Sequence, residues 1–368
     1  MTIIPSILGF SRSPFKRFIE ISKRSTTKRA ISSTETCFWD EVHSHNHPHQ
    51  IRNDFLSTPP TAAVIGAPMT YGQPLLGTDT GPDLLREAGL HKNLVELGWS
   101  VEETGNLHFD PPKRTDPILD SIYGHAKQCF AVGNGLQKIS EIVARKTEEG
   151  KVSLVLGGDH TIGCGSVAGM LKTYPDAGII WVDAHADINT PKTSLSGNMH
   201  GMPLAFLMKG MVENEIIPGM EWLADGPYLL PEQLVYIGLR DLDAGERHII
   251  NELGIKALTM QQVDRYGIGK TMEIALDHLC GKKRRPLHMS YDIDAVDPLI
   301  APSTGTRVRG GLTWREAHYV AEAVAETNLL CGFDLVEVNP TLSSNNDSVI
   351  TVDMGLLLIS SALGNRIL

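Results

Sequence analysis

No stretch of the 368-residue chain approaches the ~20 consecutive apolar residues that a membrane-spanning helix needs, so no membrane partner is expected. Basic residues are also short, with Lys and Arg at 33 against Asp and Glu at 43 and a formal charge of -10. That balance argues against the basic footprint of a nucleic-acid-binding surface and suits a cationic small molecule. Cysteine is sparse: Cys37, Cys129, Cys164, Cys280 and Cys331 are dispersed, with no CxxC pair. This excludes a disulfide framework and fits a reducing compartment with buried thiols. Internal repeats and interior linkers are missing too, so the body of the chain reads as one domain, residues 58–368.

Residues 1–57 are different in composition. Up to Arg29, the basic residues Arg12, Lys16, Arg17, Lys23, Arg24, Lys28 and Arg29 are opposed only by Glu20, among frequent serines and threonines. Phe15, Phe18 and Ile19 fall on one face of a possible helix. This is the composition of a mitochondrial transit peptide. A disordered arm on a cytoplasmic protein is the alternative. His43, His45, His47 and His49 alternate through a stretch containing Pro and Asn, a tract able to pick up a transition metal but read here as a solvated linker.

Beyond residue 57, strand and helix patterns alternate. Strands are expected over 62–68, 99–102, 151–156, 178–182, 234–239, 287–291 and 331–335. Helices are expected from Gly81-Pro82 through Leu90, and over about 118–149, 165–174, 270–280, 313–327 and 351–361. Pro82 suits a first helical turn, and Thr313 with Glu316 has the spacing of a capping box. Alternating elements of this kind make right-handed βαβ units and a parallel sheet, hence an α/β fold.

The chain is organised around Gly178-Ile-Ile-Trp-Val-Asp-Ala-His-Ala-Asp-Ile-Asn189. The apolar first half is a buried strand. Asp183, His185 and Asp187 follow at a spacing of two, which puts all three on one side if the chain stays extended. Ligands of open α/β sheets bind past the carboxyl ends of strands. Three other strands end the same way, in His160, in Asp292 with Asp294, and in Glu337. So many carboxylates cannot share a pocket without cations. Oxygen and imidazole donors with no thiolate favour harder divalent ions, Mn²⁺ first, then Mg²⁺, Co²⁺ or Fe²⁺. Two such ions clamp and activate a water, so metal-assisted hydrolysis is expected.

The stretches Gly157-Gly-Asp-His160, Asp183-Ala-His-Ala-Asp187 and Ser290-Tyr-Asp-Ile-Asp-Ala-Val-Asp-Pro298 resemble the three metal-binding motifs of the arginase/agmatinase (ureohydrolase) family. The resemblance runs from about residue 62 to 363. It implies a single three-layer αβα domain with a central parallel sheet of about eight strands, commonly a homotrimer or hexamer. It implies two Mn²⁺ per subunit: one held by His160 and Asp187, the other by His185 and Asp294, with Asp183 and Asp292 bridging. Attack of the shared hydroxide on the guanidinium carbon of L-arginine, giving L-ornithine and urea, is the activity it implies. In that reading Asp187 passes a proton to the departing amine. His200, in Ser196-Gly-Asn-Met-His-Gly201, shuttles protons to solvent. Asn189 and Ser196 meet the substrate α-carboxylate, Asp243 its α-amino group with Glu246 assisting, and Glu337 the guanidinium with Thr306 beside it. An agmatinase has no use for Asn189 and Ser196. Arg307 stands where the family usually has Pro, adding a charge near the pocket rim.

Overall fold

In a computed structural model, residues 51, 53–112 and 126–366 are described. The segment with transit-peptide composition, the histidine tract and the first part of the helix expected over 118–149 lie outside them. The described residues fall in one compact unit. Residues 53–57, just ahead of the predicted body, are tied to it: Asn53 Nδ2 donates to Leu330 O at 2.9 Å, and Ser57 N to Gly150 O at 2.8 Å.

The elements in order are β1 (Thr61–Ala67), α1 (Gly81–Glu87), α2 (Leu90–Glu96), β2 (Ser100–Asn106), α3 (Cys129–Glu148), β3 (Val152–Gly157), α4 (Ile162–Thr173), β4 (Gly178–Val182), α5 (Pro203–Leu207), β5 (Leu234–Ile237), α6 (Ala244–Leu253), β6 (Lys256–Leu258), α7 (Met260–Cys280), β7 (Leu287–Asp292), α8 (Trp314–Glu326), β8 (Leu330–Val336) and α9 (Asn345–Ala362). All pairings are parallel, in an eight-stranded sheet of order β2-β1-β3-β8-β7-β4-β5-β6. After β3 the chain leaves a gap before laying down β4, β5 and β6. Strands β7 and β8 then return to fill it.

The sheet is buried on both faces, which is why its strands are continuously apolar. Alternate residues feed separate cores. In β4, Ile180 and Val182 join one cluster, with Ala62 and Val64 of β1. Ile179 and Trp181 join the other, with Ile65 and Ala67. Cys129, Cys164, Cys280 and Cys331 are buried, and none is in a disulfide among the described residues. Among the described residues no helix is long and apolar enough to cross a membrane.

Local signals account for most boundaries. Thr313 Oγ accepts the Glu316 N–H and the Glu316 side chain returns to the Thr313 N–H, the capping box expected from sequence, worth about 1 kcal/mol. The helix expected to continue from 81 through Leu90 is interrupted at Gly89, whose φ of 103° lies in the left-handed region. The expected helix 270–280 is the second half of α7; Gly267, at φ 76°, breaks the first half from it. Helix α6 and strand β6 were not read from sequence. The α6 signal was there: Asp243 and Glu246 form a second capping box.

Candidate metal centre

Four adjacent strands, in the order β3-β8-β7-β4, carry the acidic and imidazole groups at their carboxyl ends. His160 follows β3 across Gly158, where a Cβ would lie 1.7 Å from Met69 O. Only glycine lets the two backbones approach so closely.

The extended path expected for Asp183, His185 and Asp187 does not persist. Strand β4 ends at Val182, and Asp183 Oδ1 accepts the His185 N–H at 2.7 Å. This side-chain turn curls the chain. Asp187 then takes a left-handed φ of 52°. A curled loop, not strand alternation, gathers the three groups. Strand β7 ends in the same way, with Asp292 Oδ1 accepting the Asp294 N–H at 2.8 Å. Glu337 also has a left-handed φ, 62°. Such strained positions concentrate at functional sites, where surrounding bonds hold them.

The six predicted ligands converge. His160 Nδ1 lies 3.0 Å from Asp183 Oδ2, and 3.2 Å from both Asp187 Oδ2 and Asp292 Oδ2. His185 Nδ1 lies 3.3 Å from Asp183 Oδ1 and 3.2 Å from Asp294 Oδ2. Two potential ligand groups result, His160–Asp183–Asp292 and Asp183–His185–Asp294. Asp183 belongs to both and turns one oxygen to each, as a bridging carboxylate must. His160 Nδ1 is buried with no hydrogen-bond partner, whereas its Nε2 lies 3.0 Å from Ser290 Oγ. That arrangement leaves a lone pair free for a cation. Burial, then the charges of Asp294 and Asp183, push the Asp292 carboxyl well above its ordinary range. Burial and the Asp183 charge raise Asp187 to about 6. The set is frustrated without positive charge, and its oxygen and imidazole donors fit a pair of divalent cations.

Supporting groups went unread in the sequence. Trp181 stacks on His160 with ring centroids 4.0 Å apart, and its Nε1 donates to Asp183 Oδ2 at 3.0 Å. Ser290 Oγ donates to Asp334 Oδ2 at 3.0 Å, and His288 Nε2 lies 2.8 Å from the same oxygen. The missed signal was the spacing of two continued backward into each strand: Trp181 before Asp183, and His288 and Ser290 before Asp292.

A cavity of about 220 Å³ opens beside the ligands and is lined by His185, Asp187, Asn189, His200, Asp243, Glu246, Asp292 and Thr306, all predicted, and by Gly201 and Asp241, which were not. Asn189 Nδ2 donates to Asp243 Oδ2 at 2.7 Å. Burial, then the charges of Asp187 and Asp243, raise Glu246 to about 8. Thr306 Oγ1 donates to Asp294 Oδ2 at 2.8 Å, so it steadies a metal ligand. Glu337 is not a lining residue. Its Oε1 accepts the His160 N–H at 3.0 Å, its Oε2 accepts Gln73 Nε2 at 2.8 Å, and His200 Nδ1 lies 3.5 Å away. Ser196 is exposed, outside the lining, and its Oγ accepts the Asn198 N–H at 3.2 Å. Arg307 is exposed beside Thr306.

Fold and site together define a metal-dependent hydrolase on a three-layer parallel-sheet domain, with a paired-ion centre. The Arginase family profile matches residues 60–364. An arginase of Glaciozyma antarctica is 46% identical over 85% of this chain and 90% of its own length. The solved Bacillus caldovelox arginase superposes with a TM-score of 0.76 at 37% identity, covering 84% of this chain and all of that one (100%). A solved Entamoeba histolytica arginase, in complex with L-ornithine, gives 0.73 at 29% identity, covering 83% and 98%. This chain belongs to the arginase family.

Proposed function

We propose that this protein hydrolyses L-arginine to L-ornithine and urea in arginine catabolism, with two Mn²⁺ ions per subunit as its cofactor. The observation that carries the reading is the pair of ligand groups sharing Asp183 beside a cavity walled by Asn189, Asp243 and Glu246. Relatives named as arginases, one of them holding L-ornithine, support the substrate and product. The donor set supports manganese over softer ions.

When bound, the ion pair supplies a water whose pKa is lowered toward neutrality. The chain's own residues do the rest. Glu337 stands behind the cavity lining, pinned through both oxygens; the family resemblance supports its carboxylate as the partner of a planar guanidinium, a directional charge-assisted pair. Asp187, beside the ligand groups and lining the cavity, takes a proton and returns it to the departing amine. His200 is disfavoured as a cation by burial, but the hydrogen bond and charge of Glu337, with the charges of Asp187 and Asp159, raise it to about 9. It carries protons between the site and solvent. Asp243 receives the α-amino group and Asn189 the α-carboxylate, from the cavity wall; the family resemblance adds Ser196, which stands outside that lining, to the carboxylate contacts.

Urea release with Mn²⁺ tests the reading. Losing a hydrogen bond to a charged group costs about 1.5–3 kcal/mol, so Asn189→Ala should raise the KM for L-arginine roughly tenfold or more. The affinity for agmatine, which has no α-carboxylate, should change little. Equal losses for both would undo the carboxylate assignment. The basic, serine-rich segment up to Arg29 supports mitochondrial targeting. Cell fractionation of the full-length chain should recover it with mitochondria, and a purely cytosolic chain counts against that placement. The assembly carried by the family resemblance is a homotrimer or hexamer.

A further inference from the structure

We propose that Thr193 is a positioning residue for substrate selection, its hydroxyl fixing the Asn189 amide so that only an N–H is offered to the ligand. The inference rests on the reading of Asn189 given above and names what enforces it. Asn189 is largely buried at the cavity wall, so most of its amide bonds must come from the protein. A carboxylate only accepts, so the atom 2.7 Å from Asp243 Oδ2 is the nitrogen. The amide oxygen therefore faces Thr193 Oγ1, 2.8 Å away. That hydroxyl already accepts the Thr190 N–H at 2.9 Å; of the acceptors open to its single proton, Asn189 Oδ1 at 2.8 Å is nearer than Thr190 Oγ1 at 3.3 Å or Thr190 O at 3.4 Å. Thr190 Oγ1 in turn accepts the N–H groups of Lys192 and Thr193, at 3.2 Å each, and holds the turn.

Both ends of the amide are thus taken, and one N–H remains. This wall presents a donor at Asn189 beside an acceptor at Asp243. An α-amino acid end, with its carboxylate and ammonium, satisfies both. Agmatine, which carries only hydrogen in place of the carboxylate, brings no acceptor. Without the Thr193 hydroxyl only the bond to Asp243 orients the amide; its oxygen loses its partner, and an amide free to swing offers its N–H to the substrate carboxylate less well.

The test uses the Mn²⁺-loaded full chain, with KM and kcat for L-arginine and inhibition by agmatine as readouts. Thr193→Val should raise the KM for L-arginine about threefold to tenfold, the worth of one neutral hydrogen bond. The kcat and the inhibition constant of agmatine should stay within about twofold, below that range. Thr193→Ser should restore the wild-type KM. In an Asn189→Ala background Thr193→Val should add nothing, because the two act through one contact. An unchanged KM in Thr193→Val, an equal loss for agmatine, or full additivity in the double variant overturns the proposal. Should Thr193→Val fail to fold, Thr193→Ala against Thr193→Ser makes the same comparison. If Asn189→Ala alone spares L-arginine, the carboxylate reading falls and this inference with it. If Asn189→Ala weakens L-arginine and Thr193→Val does not, only the role of Thr193 falls.

Discussion

Asp187→Asn should lower urea release from L-arginine by about 10²–10⁴-fold, the usual contribution of a positioned acid–base group. The substitution is nearly isosteric. Asn also tolerates the left-handed backbone that Asp187 adopts, φ 52°, so the loop that brings His185 and Asp187 together is spared. What is lost is a proton-carrying group and one negative oxygen 3.2 Å from His160 Nδ1. Metal content and kcat measured on the same sample separate the two losses. A variant that keeps both ions and loses turnover has lost its proton carrier. One that keeps ordinary rates removes Asp187 from the mechanism.

Stripping the metal by chelation should abolish urea release and lower the melting temperature. A ligand at a thousandfold its Kd stabilises by about 4 kcal/mol. At roughly 2–4 °C per kcal/mol for a domain of this order of size, the expected drop is about 10 °C, reversed by Mn²⁺. The drop depends on pH in a definite direction. An unfolded aspartate releases its proton near its ordinary value of 3.8, whereas folded, metal-free Asp187 keeps it to about 6. Between those values the folded protein holds more protons than the unfolded one, so metal-free stability falls as pH rises through that window. Asp292, pushed up by burial and two neighbouring carboxylates, acts in the same direction. Chelation should therefore destabilise the protein more at pH 7 than at pH 5. An identical melting temperature for stripped and loaded protein would contradict a site built around cations.

Much of this was legible from local pattern. Gly178–Val182 reads as a buried strand and is one. Thr313 and Glu316 read as a capping box and form one. Where the reading slipped, a nonlocal or competing local effect is responsible. The Asp183 side chain takes the His185 N–H and curls a segment whose spacing suggested extension. Gly267 splits α7, so only its second half shows an uninterrupted helical pattern. Gln73, which pins Glu337, lies in a loop with no motif to mark it.

The sequence by itself determined the chemical inventory: carboxylates and imidazoles at strand ends, too many to coexist without cations and too short of thiolates to favour soft ones. It did so because each strand end is a local pattern of apolar run followed by polar cluster. Only the tertiary structure decided that these ends meet. Strands β7 and β8, late in the chain, insert between β3 and β4, and this sets His160, Asp183, Asp292 and Asp294 around one point. Strand order is a property of how the helices pack on both faces of the whole sheet, and no local run of residues carries it.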